Sequence, residues 1–130
     1  MELKRILIGD KTYPIKIDLN VLAELQELYG TVGEFERKLL GYDYAKAEDG
    51  TQKYSKTGEP LVIKSEPSIR AIADVLPLMI QEGMAIEAAE KGTVYEPITK
   101  ERIIAECNID YTLLSEMIHE EFARCFVTKK

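Results

Sequence analysis

One histidine, two cysteines and no tryptophan stand in 130 residues, and that scarcity removes most catalytic chemistries at the outset. A hydrolytic triad needs three convergent groups, and a structural zinc site needs Cys or His at ligand spacing. Cys107 and Cys125 have no such partners and are too few for a disulfide framework. Each lies in an apolar helical pattern, which predicts buried free thiols and a reducing, cytoplasmic setting. Basic charge is also short. Seventeen Lys and Arg face 23 Asp and Glu, a net charge of −6 with a pI near 4.9, so the footprint for a phosphate backbone is missing. No apolar run reaches the roughly 18 residues that would span a bilayer. The opening Met1-Glu2-Leu3-Lys4-Arg5 holds no apolar secretory segment.

What is present suits one globular domain. The chain is 45% hydrophobic and 31% charged, ordinary proportions for a single core of this length. The charge is unevenly spread. Residues 1–64 carry ten basic and eleven acidic side chains (−1), whereas residues 65–130 carry seven and twelve (−5). The acidic second half repels nucleic acid and anionic membranes and suits a basic protein patch or plain solvation.

The pattern along the chain predicts a mostly α-helical α+β domain with an N-terminal β-hairpin over 1–17. Leu3 to Ile8 and Tyr13 to Ile17 read as its strands, and Gly9-Asp10-Lys11 as its turn. Pro14 cannot donate to a ladder, so its strand is an edge or carries proline on the unpaired side. Two helices follow over 18–41. The first is capped by Asp18 or Asn20, carries the stripe Val21, Leu22, Leu25, Leu28 and Tyr29, and ends at Gly30. The second opens with Thr31-x-x-Glu34, a capping box, and ends at Gly41.

Residues 42–65 change character, reading either as an irregular hairpin turning at Asp49-Gly50 or as a partner-binding loop. Tyr42, Tyr44 and Tyr54 are its candidate partner contacts, since tyrosine anchors are enriched at interfaces. Leu61-Val62-Ile63 is expected to enter the core as a short strand. The helical remainder, 66–126, starts at Ser65-Glu66-Pro67 with proline in the first turn. Its stripe of Ile69, Ile72, Ala73, Leu76, Met79 and Ile80 marks a central helix kinked at Pro77 and ended by Gly83, with an extension to Lys91. Thr99 caps a short helix through Cys107, and Asp110 or Thr112 caps the last, whose face is Leu114, Met117, Ile118, Phe122, Cys125 and Phe126. No internal repeat is evident.

Tests for a chemical site fail one after another. His119-Glu120-Glu121 continues to Ala123 where a helical zinc protease needs a second histidine. Ser115 and His119 lie one turn apart without an orienting acid, so a surface histidine is expected. A calcium loop centred on Gly50 would need carboxylates where Ala45 and Lys56 stand. Gly9-Asp10-Lys11-Thr12 lacks the glycines of a phosphate loop. Adjacent pairs such as Glu120 and Glu121 suggest solvation. The last two helices could mimic a helix-turn-helix, but the final one offers Glu116, Glu120 and Glu121 to a groove rather than Arg or Asn. No catalytic residue, metal or cofactor is expected, and the enzyme class is disfavoured.

The stretch ILIGDKTYPIKIDLNVLAELQELYG (Ile6 to Gly30), followed by SEPSIRAIADVLPLMIQEG (Ser65 to Gly83) and IHEEFARCF (Ile118 to Phe126), resembles the phage tail assembly chaperones of tailed phages and prophages of Gram-positive bacteria. The resemblance is one of pattern and order over most of the chain and includes no catalytic signature. It implies a non-catalytic protein that engages tape-measure and tail-tube proteins in the cytoplasm of the bacterial host and is absent from the finished tail. A homo-oligomer is compatible with it. It also implies a longer frameshifted form, for which an A-rich codon run at Lys129-Lys130 would be the slippery site. Partner contacts would come from Tyr42, Tyr44, Tyr54, the edge of the N-terminal hairpin and an adaptable stripe with Met79, Met84 and Met117. A minor structural tail protein and a small regulatory protein are the alternatives.

Overall fold

The two N-terminal strands pair as the alternation requires. In the computed structural model, which describes residues 2–126, β1 (Lys4–Ile8) and β2 (Lys11–Ile15) form an antiparallel hairpin in which Ile8 faces Lys11 and Lys4 faces Ile15. The turn is therefore Gly9-Asp10 alone, with Lys11 already in β2. Ile6, Ile8, Tyr13 and Ile15 share the buried face, and Leu7 points to solvent. Every second pair of such a ladder exchanges hydrogen bonds. Counting from the two-residue turn, Pro14, opposite Arg5, falls in a pair that exchanges none. Its missing N–H costs the hairpin nothing, and its carbonyl points away from β1.

Among the described residues five helices complete the α+β domain: α1 (Leu19–Tyr29), α2 (Val32–Leu40), α3 (Ile69–Lys91), α4 (Lys100–Glu106) and α5 (Tyr111–Arg124). Local chemistry sets their starts. Asp18, Thr31, Ser68, Thr99 and Asp110 each turn a side-chain oxygen onto orphan amides of the first turn. Asn20, the other candidate for α1, instead donates from Nδ2 to Glu82 at 2.8 Å. The Thr31 box closes on one side only: Thr31 accepts from the Glu34 amide at 3.0 Å, while the Glu34 carboxylate turns to Arg37. The α3 cap is Ser68, so Pro67 precedes the helix rather than opening its first turn.

α3 is the axis of the fold, packing against β2 and against each of the other four helices. It runs unbroken through Pro77 and through Gly83, where an end was expected, and stops at Gly92. Gly83 has a different task. A Cβ there would lie 2.3 Å from the Pro14 carbonyl oxygen and 2.7 Å from the Ile15 nitrogen. The helix backbone thus rests on the outer edge of β2, and the Lys16 amide donates to the Met79 carbonyl at 3.0 Å. Gly41, left-handed at φ 79°, plays the same part where α2 ends, because a Cβ there would sit 2.6–2.7 Å from the backbone of Ser65, Glu66 and Pro67.

The hairpin face, Val21, Leu25, Phe35, Leu39, the inner face of α3 from Ala71 to Ile80, Ile98, Ile103, Leu114, Ile118 and Phe122 form one core. Leu28, Ile69 and Phe126, predicted to lie on apolar faces, sit at helix ends and are exposed. Met79 fills the core, with Met84 and Met117 packed half-buried against it beside two separate surface clefts, so the three do not share one groove. Cys107 and Cys125 are free thiols, half-buried rather than buried. The Lys129-Lys130 end lies outside the described residues.

Gly83→Ala separates propensity from packing. In an exposed helix the change would stabilise by about 1 kcal/mol. Here the added methyl meets strand backbone that cannot swing aside, so urea denaturation should show a loss of about 2–4 kcal/mol.

Candidate partner-binding surface

Residues 42–64 form a ribbon that stands apart from the core. β3 (Tyr42–Tyr44) and β4 (Val62–Lys64) pair antiparallel, with Tyr42 opposite Lys64 and Tyr44 opposite Val62. Between them the chain makes two small lobes that repeat with a period of eight residues. In the first, the Ala47 amide donates to the Thr51 carbonyl (2.8 Å) and the Gly50 amide to the Ala47 carbonyl (2.9 Å). In the second, Ser55 donates to Glu59 (2.7 Å) and Gly58 to Ser55 (3.0 Å). The lobes join at a ring of backbone bonds: Ala45 donates to Leu61, Leu61 to Lys53 and Lys53 to Ala45, at 2.8, 2.9 and 3.0 Å. The expected Asp49-Gly50 turn is there. A second turn at Thr57-Gly58 was hidden because the repeats share little beyond their glycine.

The three tyrosines separate. Tyr42 and Tyr44 meet edge to face with centroids 6.1 Å apart, and the Arg37 guanidinium lies 5.1 Å over the Tyr44 ring, fixing the ribbon base to α2. Burial, together with the nearby Glu36 carboxylate, pushes the Tyr42 phenol up. Tyr54 belongs to neither ring pair and sits on the second lobe, 59% exposed, beside Pro60. Leu61, Val62 and Ile63 are exposed at 41%, 44% and 60%, which corrects their expected place in the core. A three-residue apolar run carries no period that tells a buried strand from an exposed one. Sequence reading could have found them only through their flanks, Pro60 and Lys64.

The polar groups singled out earlier are structural in their contacts. Ser115 Oγ is buried and donates to the Leu39 carbonyl at 2.6 Å, away from His119. His119 is half-buried, contrary to the surface position expected, with Nε2 2.9 Å from Glu36 Oε2 and its ring stacked on Phe122. Glu121 is buried and paired with Arg124 at 2.7 Å, so only its neighbour Glu120 is solvated. Burial raises the Cys125 thiol, which donates to the Phe122 carbonyl. Among the described residues no group of three or more His, Cys, Asp or Glu is placed to hold a metal ion, and no helix is long and apolar enough to cross a membrane. Comparison with protein-family models, curated proteins and solved structures finds no match.

One carboxyl pair gives the fold a pH response. The Glu82 carboxyl is raised above the ordinary range, first by its hydrogen bond with the Asp18 carboxyl and then by burial. The folded chain therefore binds this proton more tightly than the unfolded one. Its contribution to stability is fully present at acid pH and is lost as pH rises through the window above the usual glutamate value. Glu82→Gln keeps an acceptor for Asn20 and removes the repulsion. It should raise stability near neutral pH by a few tenths of a kcal/mol, roughly the scale of a solvent-screened pair. Urea midpoints against pH should flatten above the glutamate range.

Proposed function

We propose that the chain is a non-catalytic protein-binding factor of the tail assembly chaperone kind, engaging tape-measure and tail-tube proteins while a phage tail is built in the cytoplasm of a bacterial host. One observation carries the reading: the 42–64 ribbon holds Tyr54, Leu61, Val62 and Ile63 in solvent, where the fold makes no use of them. Neighbouring exposed aliphatics with an aromatic anchor mark a protein contact more often than idle surface. The arrangement of the other side chains agrees. In α5 the exposed face carries Glu116 and Glu120, and Arg124 is held by Glu121, so the last helix pair lacks the donors of a DNA-reading element.

Co-purification with the tape-measure and tail-tube proteins of the same gene cluster is the test. Enrichment of either should fall about tenfold or more in a Tyr54→Ser, Ile63→Ser variant, a loss typical of removing two interface anchors. Both positions are exposed, so its unfolding midpoint should stay within about 0.5 kcal/mol of the parent. Capture of neither protein by the parent chain would overturn the reading. Stoichiometric copies in purified particles, read by mass spectrometry, would make it a structural subunit of the tail instead.

A further inference from the structure

The two sheets have four outer edges, and the fold treats them differently. β3 packs against α2, and the outward Tyr44 amide on its edge already donates to Asp43 Oδ1 at 2.8 Å. The outer edge of β2 is covered by α3 through Gly83 and the Lys16–Met79 bond. The outer edge of β1 is guarded by Lys4 and by Arg5, which is ion-paired with Glu87, the usual way of keeping an edge from pairing. The outer edge of β4 has neither protection. The Ser65 amide donates to Gly41 and the Leu61 carbonyl accepts from Ala45, so residues 61, 63 and 65 face β3. By the same alternation, the amides and carbonyls of Val62 and Lys64 face outward. No partner meets them among the described residues, and every side chain from Leu61 to Ser65 is exposed.

We propose that β4 is a strand-addition site that takes an extended segment of a partner protein, apolar and β-branched opposite Val62 and Ile63 and acidic opposite Lys64. Main-chain bonds to Val62 and Lys64 supply affinity, and the alternating side chains supply specificity. The acidic requirement follows from charge. Neither Lys64 nor Lys53, whose carbonyl accepts the Leu61 amide at the other end of the strand, forms an ion pair among the described residues. The nearest following carboxylate, Glu66, is turned to the Tyr111 hydroxyl. An opposite charge directly across a strand pair is favourable, and a like charge is not. The site deepens the protein-binding reading and rests on it, but not on which protein is bound.

Val62→Pro is the sharpest probe, because it deletes an outward amide and no ladder bond, as Pro14 does in β2. The chain is labelled with 15N and titrated with a capped peptide of about eight residues centred on Glu-Val-Val (the Val–Glu peptide), and with its Val–Lys counterpart carrying Lys in place of Glu, each long enough to cover one strand. With the Val–Glu peptide, exchange of the Val62 and Lys64 amides should slow by about tenfold or more, roughly one hydrogen bond's worth each. The Val–Lys peptide should bind measurably less tightly. Val62→Pro should lose the protection, and Lys64→Glu should invert the peptide preference, which keeps the test open if the proline variant misfolds. Protection elsewhere, or peptide binding unchanged in Val62→Pro and Lys64→Glu, overturns the proposal. Tail-protein capture that survives both substitutions leaves the protein-binding reading standing and removes strand addition alone.

Discussion

A helix backbone laid directly on a strand backbone holds this protein together. Where Gly83 of α3 meets Pro14 and Ile15 of β2, no side chain intervenes, and the Lys16 amide reaches the Met79 carbonyl across the junction. An isolated two-stranded hairpin is marginal in water. Here α3 covers its outer edge while other core side chains cover its apolar face. The same helix then organises the rest, since α1, α2, α4 and α5 all pack on it. Proline and glycine, each poor in regular structure, are at this contact the residues the geometry needs. One carries no hydrogen for the position to waste, and the other carries no carbon to collide.

A second close approach sets the ribbon. Gly41 lets the end of α2 pass against Ser65, Glu66 and Pro67, which brings residues 42 and 64 together at the base of a long excursion. Arg37 over Tyr44 then ties that base to α2. Beyond the base the ribbon is held by its own backbone bonds and turns, and it adds nothing to the core. The fold therefore divides into a body that holds itself together and a projection whose apolar groups remain in water. Protein association would bury those groups, which is why the proposed binding surface is the ribbon.

Much of the body was legible in the sequence because its signals are local. The hairpin, the caps at Thr31, Thr99 and Asp110, and the apolar stripes of α1, α3 and α5 all follow from short spacings. What stayed hidden was non-local. Gly83 reads as a helix stop until Pro14 is known to lie against it. His119 reads as a surface residue until α2 brings Glu36 to within 2.9 Å. Of the three tyrosines singled out, Tyr54 is free while Tyr42 and Tyr44 are partly spent on α2. The aliphatics beside them read as core residues because β-branched runs usually go there.

The ribbon lies outside the core, and the proposed function makes it dispensable to the fold and necessary for binding. Replacing residues 42–64 with Asn-Gly would remove the whole ribbon, β4 included, and join Gly41 to Ser65, already a hydrogen-bonded pair, through a turn suited to a two-residue hairpin. The measurement is the urea unfolding midpoint of this shortened chain, taken together with its capture of the tape-measure and tail-tube proteins. The expected midpoint lies within about 0.5 kcal/mol of the parent, as for changes remote from the core, and capture should be lost. Unfolding of the body, or capture at the parent level, would contradict the proposed function.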